Sequence, residues 1–364
     1  MSDANDIQQR IFETIKIKLS KDEKLATVLM DKLFLSQDAV YRRMRGEVPL
    51  TIYETKTLCE AYQIPFDEMG VYKRGVVNFS YSPLDRIGLN FEDWLIGIRD
   101  GLIHIKKMEN AHITMSIIDT PIFQLFNLPH LTRFKFFFWA KTYLKIPAYE
   151  KELFKREKID KKVLMIGIEA HNIYNSIPTT EIYSNETLRG TLRQIQYYYE
   201  AHLFEDPSYS LELLENLLDL IKHLKAQAEI GRKFAFGNEA PNAGNKFDMY
   251  YNETFVSDNT YLVKSKAGSL VYFSHNILNY LHTKDPYYIQ ESEFVLSKLI
   301  NNSTLISEVN TKDRNRFFAE ISQAVIQLKK RIESELNLTL KRRCRNGPKF
   351  FHLNYLIFWI LERK

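Results

Sequence analysis

The chain has 364 residues, too many for one small core and, at roughly 150 residues per domain, enough for two or three. Its 45% hydrophobic and 26% charged residues exclude a disordered or collagen-like chain. The net charge of +5 is unevenly placed: residues 336–364 hold seven Lys or Arg against one Glu, which leaves the rest at −1, so bulk charge makes no case for nucleic acid. Two cysteines, Cys59 and Cys344, supply neither a disulfide framework nor a four-ligand zinc site, which fits a reducing compartment. Residues 7–19 are interrupted by Arg10, Glu13, Lys16 and Lys18, unlike a signal peptide, and the apolar run 350–361 carries His352 and Asn354 and is short for a bilayer span. The expectation is a cytoplasmic protein without a membrane partner.

In chain order, Ile7, Ile11, Phe12, Ile15 and Leu19 recur at spacings of three and four and predict a first helix. A second is predicted over 24–33, burying Leu25, Val28, Leu29 and Leu33. After a break at Phe34-Leu35, Ser36 caps a third helix over 37–45, which Gly46 ends. Pro49 cannot lie inside a helix, and Thr51 with Glu54 forms a capping box for a fourth. A fifth short helix is expected over 63–69. These segments make one unit, residues 1–72, with twelve basic and twelve acidic residues in 1–75.

Beyond it the pattern changes. Alternation predicts strands at 77–81 and 112–118, and helices are expected at 91–108, 131–144, 160–175, 186–204 and 211–232. Gly237 to Asn245 reads as a loop, a boundary at which residues 73–336 divide if they hold two subdomains. Strand-like runs follow at 247–256, 261–264 and 270–273, with a short apolar run at 304–307 and helices at 275–281 and 313–336. One sheet drawing strands from both sides of the helical block is expected, because neither group alone makes a covered sheet. The string 172–181 is expected as a capped corner, with a ligand loop as the alternative, and the aromatic runs 134–139 and 197–199 as core first and a ligand-lining pocket second. Phe317, Ile321, Val325, Leu328 and Ile332 advance by four, four, three and four, one helix face that serves as the candidate dimer seam. Residues 337–364 form a basic and apolar C-terminal segment, in which the long helix stops before Pro348 and 350–361 docks on the body or on a second chain.

Residues 25–69 resemble the lambda-repressor-like (Cro and repressor type) helix-turn-helix family in the order of their features. A second helix ending at Leu33, a two-residue turn, Ser36-Gln-Asp-Ala-Val-Tyr-Arg-Arg-Met-Arg45 closed by Gly46, Pro49-Leu-Thr51 opening the next helix, and Ile64-Pro-Phe-Asp-Glu68 follow in turn. Phe34 stands where that turn normally carries glycine, and Met30 where a small residue is usual. The Tyr41-Arg-Arg-Met-Arg-Gly46 string is also similar to bacterial regulators that carry such a domain before a long C-terminal region. The resemblance implies a reading helix in the major groove of double-stranded DNA. A reading helix buries one stripe, here Val40 and Met44 with Ala39, and offers the opposite face to base edges. Gln37, Asp38, Tyr41 and Arg42 are the candidate base readers, Gln37 suited to adenine and Arg42 to guanine; Ser36, Arg43 and Arg45 are the candidate phosphate contacts. A solvated surface helix is the competing account of the arginines.

No catalytic pattern is legible. His282-Thr-Lys284 resembles part of a phosphodiesterase element but lacks its spaced aspartate and second copy, so a helix end is the expected context. His275 and His282 stand seven apart with no nearby carboxylate, and there is no His-Glu-x-x-His, Cys-x-x-Cys, glycine-rich phosphate loop or Gly-x-Ser-x-Gly elbow. No catalytic residue, metal or cofactor is expected. The expected fold is mainly α with an α+β body: a five-helix lambda-repressor-like head before a larger helix-rich domain with a small sheet. The expected function is a sequence-specific transcription regulator, homodimeric because one head buries too little surface, its body sensing a small-molecule or protein effector. The alternatives are a phosphodiesterase- or nuclease-like enzyme targeted by the head, and a protein-interaction scaffold.

Overall fold

Packing divides the chain after Ser80. The computed structural model describes residues 2–20, 23–62, 64, 75–81, 90–155, 160–239, 244–254, 258–276 and 278–346. One unit holds the chain up to Ser80 together with Asp285–Tyr288, and the second holds the rest.

In the first unit, α1 (Ser2–Lys18), α2 (Leu25–Leu33), α3 (Gln37–Met44) and α4 (Ile52–Ala61) enclose a core of Ile11, Phe12, Ile15, Leu29, Val40, Leu58, Cys59 and Ile64. Each helix gives it one stripe, as the sequence spacing requires. Apart from Ile64, the expected fifth helix lies outside the described residues. The capping box is formed in full: the Thr51 hydroxyl accepts from the Glu54 amide (3.2 Å) and the Glu54 carboxylate from the Thr51 amide (2.8 Å).

The second unit is built on a mixed sheet, with eight strands among the described residues rather than the small sheet expected. From Ser80 on, the elements in chain order are β1 (Ser80–Tyr81), α5 (Phe91–Lys107), β2 (His112–Ser116), α6 (Ile122–Leu125), α7 (Pro129–Phe138), α8 (Lys161–Asn175), β3 (Thr179–Tyr183), α9 (Arg189–Glu200), α10 (Tyr209–Ile230), β4 (Phe247–Tyr251), β5 (Thr260–Ser265), β6 (Gly268–His275), β7 (Asn279–Thr283), α11 (Pro286–Asn301), β8 (Thr304–Leu305) and α12 (Thr311–Asn346), and the division between the units falls within β1 and within the first turn of α11. The strand order is β1-β7-β6-β5-β2-β3-β4-β8. β2, β3 and β4 run parallel, with Ile113 opposite Thr179 and Thr179 opposite Phe247, and helical crossovers join them. β5, β6 and β7 follow as an antiparallel meander beside β2. Strands from both sides of residues 237–245 therefore share one sheet, as expected. α10 and α12 pack together in the main core, and the aromatic run is core: Phe134, Phe136, Phe137 and Trp139 are buried, with Phe134 edge-on to Phe154 and Tyr198. Tyr198 is buried beside an exposed Tyr197.

Several expectations are corrected. The described residues of 275–281 form no helix: His275 ends β6, Asn276 takes a positive φ of 56°, and β7 begins at Asn279, which pairs with His275. His275 and His282 therefore lie on paired strands, and His282-Thr283 closes β7 instead of a helix. Part of 172–181 is no corner: Thr179 begins β3, a strand buried at every position. α11 has no counterpart among the expected elements. The supposed dimer seam is filled within the chain, because Phe317, Ile321, Val325, Leu328 and Ile332 are all buried in the second unit's own core. α12 continues to Asn346, so the basic run 341–345 is helical backbone, while residues 347–364 lie outside the described part. Among the described residues no helix is long and apolar enough to cross a membrane.

Candidate nucleic-acid interface

The site is built from α3 outward. Ser36 has extended backbone and accepts the Ala39 amide on its hydroxyl (3.4 Å), fixing where the helix begins. Asp38 in the first turn complements the positive end of the helix dipole. Val40 is buried in the unit's core with Leu29 and Leu58, and Met44 packs against that core. That leaves Gln37, Asp38, Tyr41 and Arg42 on the exposed side, with Ser36 and Arg45 also exposed. The four expected readers thus share the open face of a helix anchored through one apolar residue.

Arg43 departs from the expectation that it contacts phosphate. Its guanidinium donates twice to Glu54 (3.2 and 2.8 Å) and once to the Ala39 carbonyl (3.1 Å). Both side chains of the pair are mostly buried, so Arg43 clamps α3 to the start of α4. Burial pushes the Glu54 carboxyl up, but the Thr51 amide and Arg43 outweigh it and hold it below the usual carboxylate range. Arg45 is bound by Glu47 (2.6 and 3.1 Å), and Arg42 lies 3.7 Å from the same carboxylate. These groups are about half exposed, so the pairing is weak and exchangeable for a stronger anion.

Two further features lie beyond the sequence reading. Gln8 of α1 is buried and holds three backbone groups: its Nε2 donates to the carbonyls of Arg43 (2.7 Å) and Val48 (3.1 Å), and its Oε1 accepts the Leu50 amide (2.6 Å). The segment leaving α3 is thereby tied to α1. Phe34, in the turn before α3, is left-handed (φ 53°, ψ 42°) and 93% exposed. Only the glycine absent from this turn signals it in the sequence.

The second unit concentrates its polar chemistry inside the core. Glu181 in β3 is fully buried and accepts hydroxyls from Tyr174, from Thr179 (2.8 Å) and from Tyr183 (2.8 Å). Lys233 donates to the Tyr174 carbonyl (2.9 Å) and lies 3.7 Å from that ring's centre; burial lowers its pKa to about 7, against the pull of Glu181. His171 donates from Nδ1 to the Phe123 carbonyl (2.6 Å) and accepts amide protons from Asn127 (2.6 Å) and Asn175 (2.7 Å) on Nε2. Burial lowers its pKa to about 4 despite the carbonyl bond. Each group answers its neighbours within the core, an arrangement that fixes packing. An open groove of about 590 Å³ lies between α9 and α12, lined by Asn185, Arg189, Leu192, Glu320, Gln323 and Gln327 among others. Among the described residues no three His, Cys, Asp or Glu side chains converge as metal ligands. Scans against protein-family models, curated proteins and solved structures find no match for this chain.

Proposed function

We propose that the first unit is a lambda-repressor-like helix-turn-helix head that binds double-stranded DNA through the open face of α3, and that the chain is a sequence-specific transcription regulator. The observation that carries this reading is the exposure of Gln37, Asp38, Tyr41 and Arg42 together, opposite the single buried anchor Val40. Amide, carboxylate and guanidinium side chains are the groups that pair with base edges in the major groove, and an α-helix is what that groove admits. Ser36 at the cap and Arg45 at the far end bracket the face as phosphate contacts that set register. Arg43 is assigned to positioning, through Glu54.

Two heads are needed for tight binding, since one buries too little surface, and a homodimer on paired half-sites meets that need. With the inner face of α12 occupied, the dimer contact belongs to another surface. The second unit then senses a small-molecule or protein effector. Selection of duplexes from a random library by the intact protein tests the reading. A shared sequence lost on Gln37→Ala and Arg42→Ala together supports it, and enrichment indifferent to both substitutions refutes it.

A further inference from the structure

Among the described non-glycine residues with positive φ, Phe34 stands apart. The others are Asn110, Lys145, His202, Asn276, Glu308 and Asn310, all polar. Asparagine tolerates the left-handed region because its short side chain bonds locally; a bulky aromatic residue does not. Phe34 is also the most exposed large hydrophobic side chain among the described residues, at 93%. One residue thus combines a strained backbone with an apolar ring in water, and neither is explained by packing. The backbone itself does something ordinary, since the Phe34 amide closes α2 on the Met30 carbonyl, a helix end that glycine serves without strain. What glycine would lack is the ring.

The ring's position suggests its use. It lies two residues before Ser36 and adjoins the N-terminal turn of α3, which carries Gln37 and Asp38. On the DNA-binding reading, on which this inference rests, that end of the helix approaches the base edges. The apolar feature the major groove offers there is the C5-methyl group of thymine. We propose that Phe34 is a specificity-determining residue whose ring covers a thymine methyl beside the bases read by the first turn of α3. Backbone strain of this kind clusters at functional sites.

The test uses the intact protein and the duplex it enriches from a random library, with each thymine replaced in turn by uracil, which removes only the methyl. Covering about half of the ring predicts a five- to tenfold loss of affinity at one thymine flanking the positions read by Gln37 and Asp38. Phe34→Gly and Phe34→Asn, both compatible with the left-handed turn, should show the same loss on the thymine duplex and no further loss on uracil. Phe34→Gly should also be at least as resistant to unfolding as the parent, which separates lost contact from lost fold. If the protein enriches a duplex and Phe34→Gly binds it as tightly, with the same uracil sensitivity, the role of Phe34 is overturned and the DNA reading stands. If the protein enriches no duplex, both fall.

Discussion

Gln8→Ala is the sharpest test of how α3 is held. Gln8 is buried, and its amide serves three backbone groups at the exit of α3: the carbonyls of Arg43 and Val48 and the amide of Leu50. A neutral hydrogen bond contributes about 0.5–1.5 kcal/mol net, and a buried partner left without one costs more. The three residues that lose their partner are themselves only half-buried, so water would answer part of the loss. The expected destabilisation of the first unit is about 2–3 kcal/mol, or a roughly 30- to 150-fold rise in the exchange rate of amides protected by its unfolding. Hydrogen exchange read on peptides spanning residues 36–50 is the right assay, because none of the three tryptophans lies in residues 1–80. Gln9→Ala is the control: Gln9 makes one exposed bond, to the Met44 carbonyl at 2.9 Å, and its loss should cost below about 1 kcal/mol. Equal effects of the two substitutions would refute the argument that Gln8 is a buried clip.

Phe34→Gly should stabilise the first unit by ~0.5–1 kcal/mol, since the relief of left-handed strain exceeds the added chain entropy of glycine; slower exchange in α2 and α3 checks this, and faster exchange would contradict it. His171 has a folded pKa of about 4, below the unfolded value near 6.5, so the unfolded state binds more protons in that window. Stability of the second unit should fall by about 3 kcal/mol as pH drops from 6.5 to 4, and His171→Gln should flatten this part of the urea-unfolding profile; equal slopes would refute it. Lys233, at about 7, lies below its unfolded value near 10.4, so stability should rise with pH from 7 to about 10 and that rise should vanish in Lys233→Met. A slope unchanged by the substitution would remove Lys233 as its cause.

The first unit is largely legible in the sequence because its signals are local. Ser36 and the Thr51–Glu54 box announce helix starts by chemistry that acts within three residues, and Ile11, Phe12 and Ile15 declare one face. Arg43 reads as a phosphate contact because its partner, Glu54, belongs to another helix, and sequence spacing carries no sign of an ion pair across eleven residues. Gln8 is invisible for the same reason, its three partners standing 35 to 42 residues away. In the second unit, β3 escapes detection because a strand buried on both faces shows no alternation, and Glu181 at its centre falls in the string expected as a corner. α11 escapes because Tyr287, Phe294 and Val295 face solvent and blur its stripe. The face of α12 is correctly one apolar stripe, but a stripe does not say what it packs against.

The central claim, that the open face of α3 reads DNA, is tested most directly by Arg42→Ala and Arg45→Ala in the intact protein. Affinity for the selected duplex and for a scrambled one is measured by titration over a range of salt concentrations. Arg42→Ala should cost ~1–3 kcal/mol on the selected duplex and little on the scrambled one, with preference relaxed at one base pair. Arg45→Ala should weaken both duplexes equally and reduce the dependence on salt by about one phosphate contact. Equal losses on both duplexes for Arg42→Ala, or no difference in the parent between selected and scrambled DNA, would contradict the account.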